Sequence, residues 1–144
     1  MASVFIKGFI MTIELYEQYN VLTDAEKSYF KLHPHHIKTI KDSKKTAYDE
    51  TKKRFGFNRR NDKSDAFRHC FWSAILAKDI GYKYALEFTT AHESAPKNDP
   101  HEKMMDLHNN AIGVHIGLSK KSNNILSEYC FNALMAGRLK VLRP

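Results

Sequence analysis

Apolar residues along this chain recur at helical rather than strand spacing, and the gaps between them fall at residues that start or stop helices. Thr23-Asp24-Ala25-Glu26 reads as a capping box, with Thr23 capping a helix and Glu26 reaching back to it. That helix has to stop near His33, because Pro34 disfavours helical backbone in the residue before it. A second helix is expected over about 35–55, with Ile37, Ile40, Ala47 and Tyr48 on one face and Gly56 as its stop. Ser64 is the expected cap of a third, running to about Ile80 ahead of Gly81. Further helices are expected over about 82–93, 102–118 and 122–135, the last stopped at Gly137, with 138–144 as an extended tail. No segment sustains strand alternation. The fold class is therefore all-α: a compact single-domain bundle of about five to six helices over 1–144, with 1–20 peripheral and 61–117 the core carrying the site.

Two of these helices carry unusual faces. In the third, Phe67, Cys70, Phe71, Ala74 and Ala77 make an apolar stripe, while Asp65, Arg68, His69, Trp72 and Leu76 share a second arc. A surface helix would fill that arc with Lys and Glu, whereas this one presents an acid, a base, an imidazole and the single Trp, as a pocket wall would. In the helix over 102–118, Asp106, Asn110, Gly113 and Gly117 share one face. Glycine inside a helix costs about 1 kcal/mol relative to alanine, so two on one face call for a closely approaching neighbour. Met104, Leu107, Ala111, Val114 and Leu118 are the expected core stripe of that helix. Between the two, Ala91-His92-Glu93 ends a helix before a loop with two prolines, where adjacent side chains can turn towards one point.

Composition then narrows the setting. Lys and Arg number 23 against 16 acids, a net charge of +7, which favours anionic partners: nucleic acid, acidic lipid or cell wall. Lys38, Lys41, Lys44, Lys45, Lys52 and Lys53 read as a solvated basic face. Cys70 and Cys130 lie within apolar helical patterns and read as buried thiols, with no disulfide framework and no CxxC pair. No apolar run approaches the ~18 residues of a membrane helix. Met1 to Met11 is apolar but interrupted by Lys7 and makes a poor signal peptide. It reads as a packed or appended segment. That leaves a cytoplasmic protein, or an effector exported by a dedicated secretion system without a cleavable signal.

The stretch DAFRHCFW, then AHE, then MDLHNNAIG resembles a bacterial domain found at the C-termini of polymorphic toxins, whose pattern is DAFRHxxW, AHE, MDxxNNxxG. The likeness spans Asn61 to Gly117 and matches at Asp65, Arg68, His69, Trp72, His92, Glu93, Asp106, Asn109, Asn110 and Gly113. It implies a toxin-like context, a cognate immunity protein as partner and a shared site, without fixing the substrate. The roughly 60 residues ahead of the match suggest a stand-alone effector or an excised toxin domain.

The expected chemistry is hydrolysis of an anionic polymer or lipid, nucleic acid slightly ahead of peptidoglycan and phospholipid. His69, His92, Glu93 and Asp106 are the candidate catalytic residues: an imidazole or carboxyl as general acid or base, and an aspartate to orient it. Arg68, Asp65, Trp72, Asn109 and Asn110 are the candidate substrate-binding residues, Arg68 suiting an oxyanion or phosphate. No nucleophile stands out, since Cys70 lies on the apolar stripe, so activated water is expected. No cofactor is required; a divalent metal variant would use His69, His92, Asp106 and His108, and His33, His35 and His36 form another histidine group. The alternative is a non-enzymatic effector or protein-binding module in which Asp65 and Arg68 pair and the polar cluster only supports the fold.

Overall fold

Local signals place most helix ends in the computed structural model, which describes the backbone of 3–6 and 9–12 and residues 20–95 and 99–144 in full. Thr23 caps α1 (Asp24–Leu32) with both hydrogen bonds of the capping box, Glu26 N–H to Thr23 Oγ1 at 3.0 Å and Thr23 N–H to Glu26 Oε1 at 2.9 Å. A single 3-10 turn (Pro34–His36) leads into α2 (Ile37–Phe55), which stops at Gly56 in the left-handed conformation, φ 79°. Asp62, not Ser64, caps α3 (Lys63–Ile80): its carboxylate accepts the N–H groups of Ser64 and Asp65. A carboxylate at the cap also meets the positive end of the helix dipole, and Ser64 is turned inward, donating its hydroxyl to Asp62 and accepting from Arg59 N–H. α4 (Tyr82–His92), α5 (Pro100–Gly117) and α6 (Asn123–Met135) follow. α5 starts two residues earlier than the pattern suggests, because Asp99 caps it and Pro100 suits the first turn.

The helical body is all-α. The only strands among the described residues are β1 (Ser3–Ile6) and β2 (Phe9–Thr12), an antiparallel pair in register Ser3↔Thr12 to Ile6↔Phe9. The remainder of the N-terminal segment expected to be peripheral, and residues 96–98 of the proline-containing loop, lie outside the described residues. No helix among the described residues is long and apolar enough to cross a membrane.

α3 is the axis of the bundle, packed by α2, α4, α5 and α6. Its apolar stripe is fully enclosed, but so are Ala66, Ile75 and Leu76, because helices cover it all round. The second arc therefore divides: Trp72 and Leu76 join the core, and Asp65, Arg68 and His69 alone make the polar wall. The α3–α5 seam is a close approach of two backbones. A Cβ on Gly113 would sit 2.1 Å from the Cys70 carbonyl oxygen, and one on Gly117 would sit 2.3 Å from that of Ala74. The glycines do what their spacing implied. This seam, rather than the expected stripe, is the buried face of α5: Met104, Ala111 and Leu118 face solvent and Val114 alone of that stripe is fully enclosed, while Met105, Asn109 and Asn110 turn inward. Tyr48 is likewise half-exposed instead of buried, its ring 4.8 Å from the Arg68 guanidinium. Cys70 and Cys130 are buried free thiols that contact each other.

Candidate active site

Four elements deliver polar side chains to one cavity of about 500 Å³. The first two turns of α3 supply Asp65, Arg68 and His69, the C-terminus of α4 supplies His92 and Glu93, α5 supplies Asp106, and α1 supplies Glu26. Helix α4 ends at His92, and that termination lets His92 and Glu93 both face the cavity although they are adjacent in sequence.

His69 is the centre of the cluster. Its Nε2 lies 3.3 Å from Asp65 Oδ1 and 3.5 Å from Asp106 Oδ1, and its Nδ1 lies 3.2 Å from Asn110 Oδ1, which also accepts the Ser73 hydroxyl. Acceptors face both ring nitrogens, an arrangement that favours the doubly protonated ring. Burial opposes that charge, but Asp65, Asp106 and Glu93 outweigh it and raise the pKa of His69. Burial would also raise Asp65, yet His69, the Asn61 N–H and Arg68 together hold its carboxyl below the ordinary range. Arg68 closes this group by pairing with Asp65 and reaching Asn58 and the Arg59 carbonyl.

Glu93 and Asp106 are left with the opposite problem. Burial first, then the neighbouring Asp106 and Asp65 carboxylates, push Glu93 up to about 8, so near neutral pH it carries a proton that it donates to Asp106. Asp106 is itself raised, by burial and then by Asp65. Its Oδ1 is buried without a hydrogen bond among the described residues, as is Asn110 Nδ2.

His92 has a different partner. Its Nδ1 is 3.0 Å from Glu26 Oε2, while Nε2 faces the cavity 3.8 Å from Glu93 Oε1. Glu26 is almost wholly buried, and although burial would raise its pKa, the bonds from His92 and Thr23 lower it, so it stays a carboxylate. The Thr23 hydroxyl donates to the Ala91 carbonyl at 2.8 Å, fastening the start of α1 to the end of α4. One residue thus serves two roles: Glu26 Oε1 completes the cap and Oε2 orients His92. The sequence pattern shows only the first of these, because the contact with His92 spans 66 positions.

Several candidates do not join the cluster. Asn109 is fully buried on the other side of α5, where its amide donates to the Lys140 carbonyl and accepts the Lys140 N–H, at 2.9 and 2.8 Å. It anchors the tail, which also bonds Asn61 through Leu142 and Arg143. His108 is nearby, bonded to the Arg138 carbonyl at 2.8 Å, so it cannot share a metal with His69. Trp72 is buried, donating Nε1–H to Ser43 Oγ at 3.1 Å, with only its edge on the cavity wall beside His92. The donor atoms that do converge for a metal are those of Asp65, His69 and Asp106, all within 4.8 Å of one another; His33, His35 and His36 form a second such group.

No curated protein and no solved structure matches this chain. One family does, over residues 27–138, which includes every residue of the cluster except Glu26. The match covers well over half of the chain, which therefore belongs to the family described as a domain of unknown function, DUF6973.

Proposed function

We propose that this domain is a hydrolase that activates water with His92, acting on an anionic substrate in a toxin-like setting. The observation that carries the reading is the Glu26–His92 pair: a buried carboxylate fixes one ring nitrogen and leaves the other facing an open polar cavity. That is the relation of base and orienting acid found in many hydrolytic sites. The His92 Nε2 takes the proton of a water molecule. The His69 cation and Arg68 face the charge that develops on the substrate oxygen, where fixed donors in a shielded site are most effective. Glu93, holding a proton 3.8 Å from His92, supplies it to the leaving group and recovers it from His92. Asp65 and Asp106 keep His69 charged and in place.

A second reading has a divalent cation on Asp65, His69 and Asp106. The buried Asp106 Oδ1, without a hydrogen bond among the described residues, favours it. The toxin setting rests on the three-part sequence pattern, and implies an effector delivered without a cleavable signal and met by an immunity protein.

The test is paired. His92→Ala and Glu26→Gln should each abolish growth inhibition or hydrolysis per folded molecule; His92→Ala should also lower stability in urea by about 1–3 kcal/mol, since it leaves the buried Glu26 Oε2 without its partner. Activity per folded molecule retained in His92→Ala would sink the hydrolase reading and favour a binding module. Expression in the bacterial cytoplasm and, separately, with an export signal distinguishes nucleic acid from wall or lipid as the target.

A further inference from the structure

The polar cavity does not end at His92. A second cavity of about 470 Å³ adjoins it between α1, α2 and α4, and its chemistry is the reverse: Leu22, Phe30, Ile37, Ile40, Trp72 and Phe88 line it. Glu26, Tyr48 and His92 belong to both walls, and a smaller space of about 200 Å³ beside Trp72 and His69 connects them. The oriented imidazole therefore stands at the junction of an apolar slot and a polar chamber. Charge is distributed to match. Lys41, Lys44 and Lys45 border the apolar slot, and Lys41 and Lys44 make no ion pair among the described residues. Arg59 and Arg68 border the polar chamber.

A nucleic acid or a glycan has no use for an apolar slot of this size beside the reacting atoms. A molecule with a long hydrocarbon chain, a polar scissile bond and an anionic head has a use for every part. Resting on the hydrolase reading above, we propose that the substrate is an acyl ester of an anionic lipid. The chain lies in the slot under Phe30 and Ile40, the ester carbonyl meets His92 at the junction, and the phosphate of the head faces Arg59 and Arg68. The lysine border holds the protein against an acidic lipid surface, each lysine there being worth about fivefold in affinity. In the reaction, the oxygen of water bonds to the carbonyl carbon as His92 removes its proton. The carbon–oxygen bond to the alcohol breaks, and the alcohol oxygen takes the proton from Glu93, which His92 then restores. Water is consumed, and a fatty acid and a lysolipid leave.

The full chain is assayed against 4-nitrophenyl esters from butyrate to decanoate, and against phosphatidylglycerol and phosphatidylcholine in mixed micelles. kcat/KM should rise about fourfold per added methylene until the slot is filled, because each buried methylene contributes about that factor. Phosphatidylglycerol should be favoured over phosphatidylcholine, and Lys41→Glu with Lys44→Glu should remove that preference. Occupancy is read without turnover: Trp72, the only Trp, lies on the slot wall and should transfer energy to a bound dansyl-labelled fatty acid. Ile37→Glu, at the partly open edge of the slot, should abolish that transfer. Hydrolysis of butyrate that depends on His92 but gains nothing with chain length would overturn the lipid assignment and keep the hydrolase. Cleavage of RNA with no ester turned over would do the same, and no hydrolysis of any substrate would sink both.

Discussion

Replacing Glu93 with glutamine tests whether the carboxyl cluster is maintained against the interest of the fold. An unfolded glutamate gives up its proton near 4.5, but Glu93 in the folded chain keeps it until about 8. Below pH 4.5 both states are protonated and the difference contributes nothing. Between 4.5 and 8 the unfolded state is ionised while the folded state is not, so stability falls as pH rises; above 8 the loss is constant. At pH 7 the gap of about 2.5 units corresponds to about 3 kcal/mol. Glu93 is buried, so solvent screening removes little of it. A glutamine side chain at this position cannot ionise in either state, and its amide can still donate to Asp106. Allowing for imperfect replacement of that hydrogen bond, Glu93→Gln should gain about 1–3 kcal/mol at pH 7 and nothing at pH 4. With a urea slope of about 1–3 kcal/mol per molar, the midpoint should rise by about 1 M at pH 7 only. Urea unfolding from pH 4 to 9 measures this, and the same variant should have lost activity. A midpoint at pH 7 equal to or below the native value, or an equal gain at both pH values, refutes the reasoning.

Two further substitutions address the frame that holds the site. Gly113→Leu should lower stability by about 3 kcal/mol or more, because even its Cβ would overlap the Cys70 carbonyl and force α5 away from α3; an unchanged melting temperature would disprove the close approach. Asn109→Ala should cost about 1–3 kcal/mol through two lost hydrogen bonds and should expose the Lys140 amide to hydrogen exchange, with activity per folded molecule unchanged. Activity lost in a stable Asn109→Ala would return that residue to the binding set.

The chain by itself determined what depends on neighbours within a few positions. Helix number and class, the Thr23–Glu26 cap, the stops at Gly56 and Gly137 and the tight seam at Gly113 and Gly117 all follow from backbone preferences that act locally or repeat with the helical turn. The polar residues of the site also announced themselves, because an acid, an arginine and a histidine on an otherwise apolar helix have no place in a core unless something answers them. Which residue answers which was decided only by tertiary structure. Asn109 and Asn110 are adjacent and alike in sequence, yet about 100° of helical rotation sends one to the tail and the other to His69. Two residues of rotation, about 200°, take His108 away from Asp106. Trp72 and Leu76 belong to the core because helices surround α3 on every side, which no pattern within α3 can indicate. Glu26 is the sharpest case. Its local role was plain, but its contact with His92 depends on how α1 lies across the end of α4, fastened by Thr23 to Ala91. A side chain's chemistry is set by what surrounds it at hydrogen-bonding distance, and those surroundings come from packing between helices that the linear order leaves free.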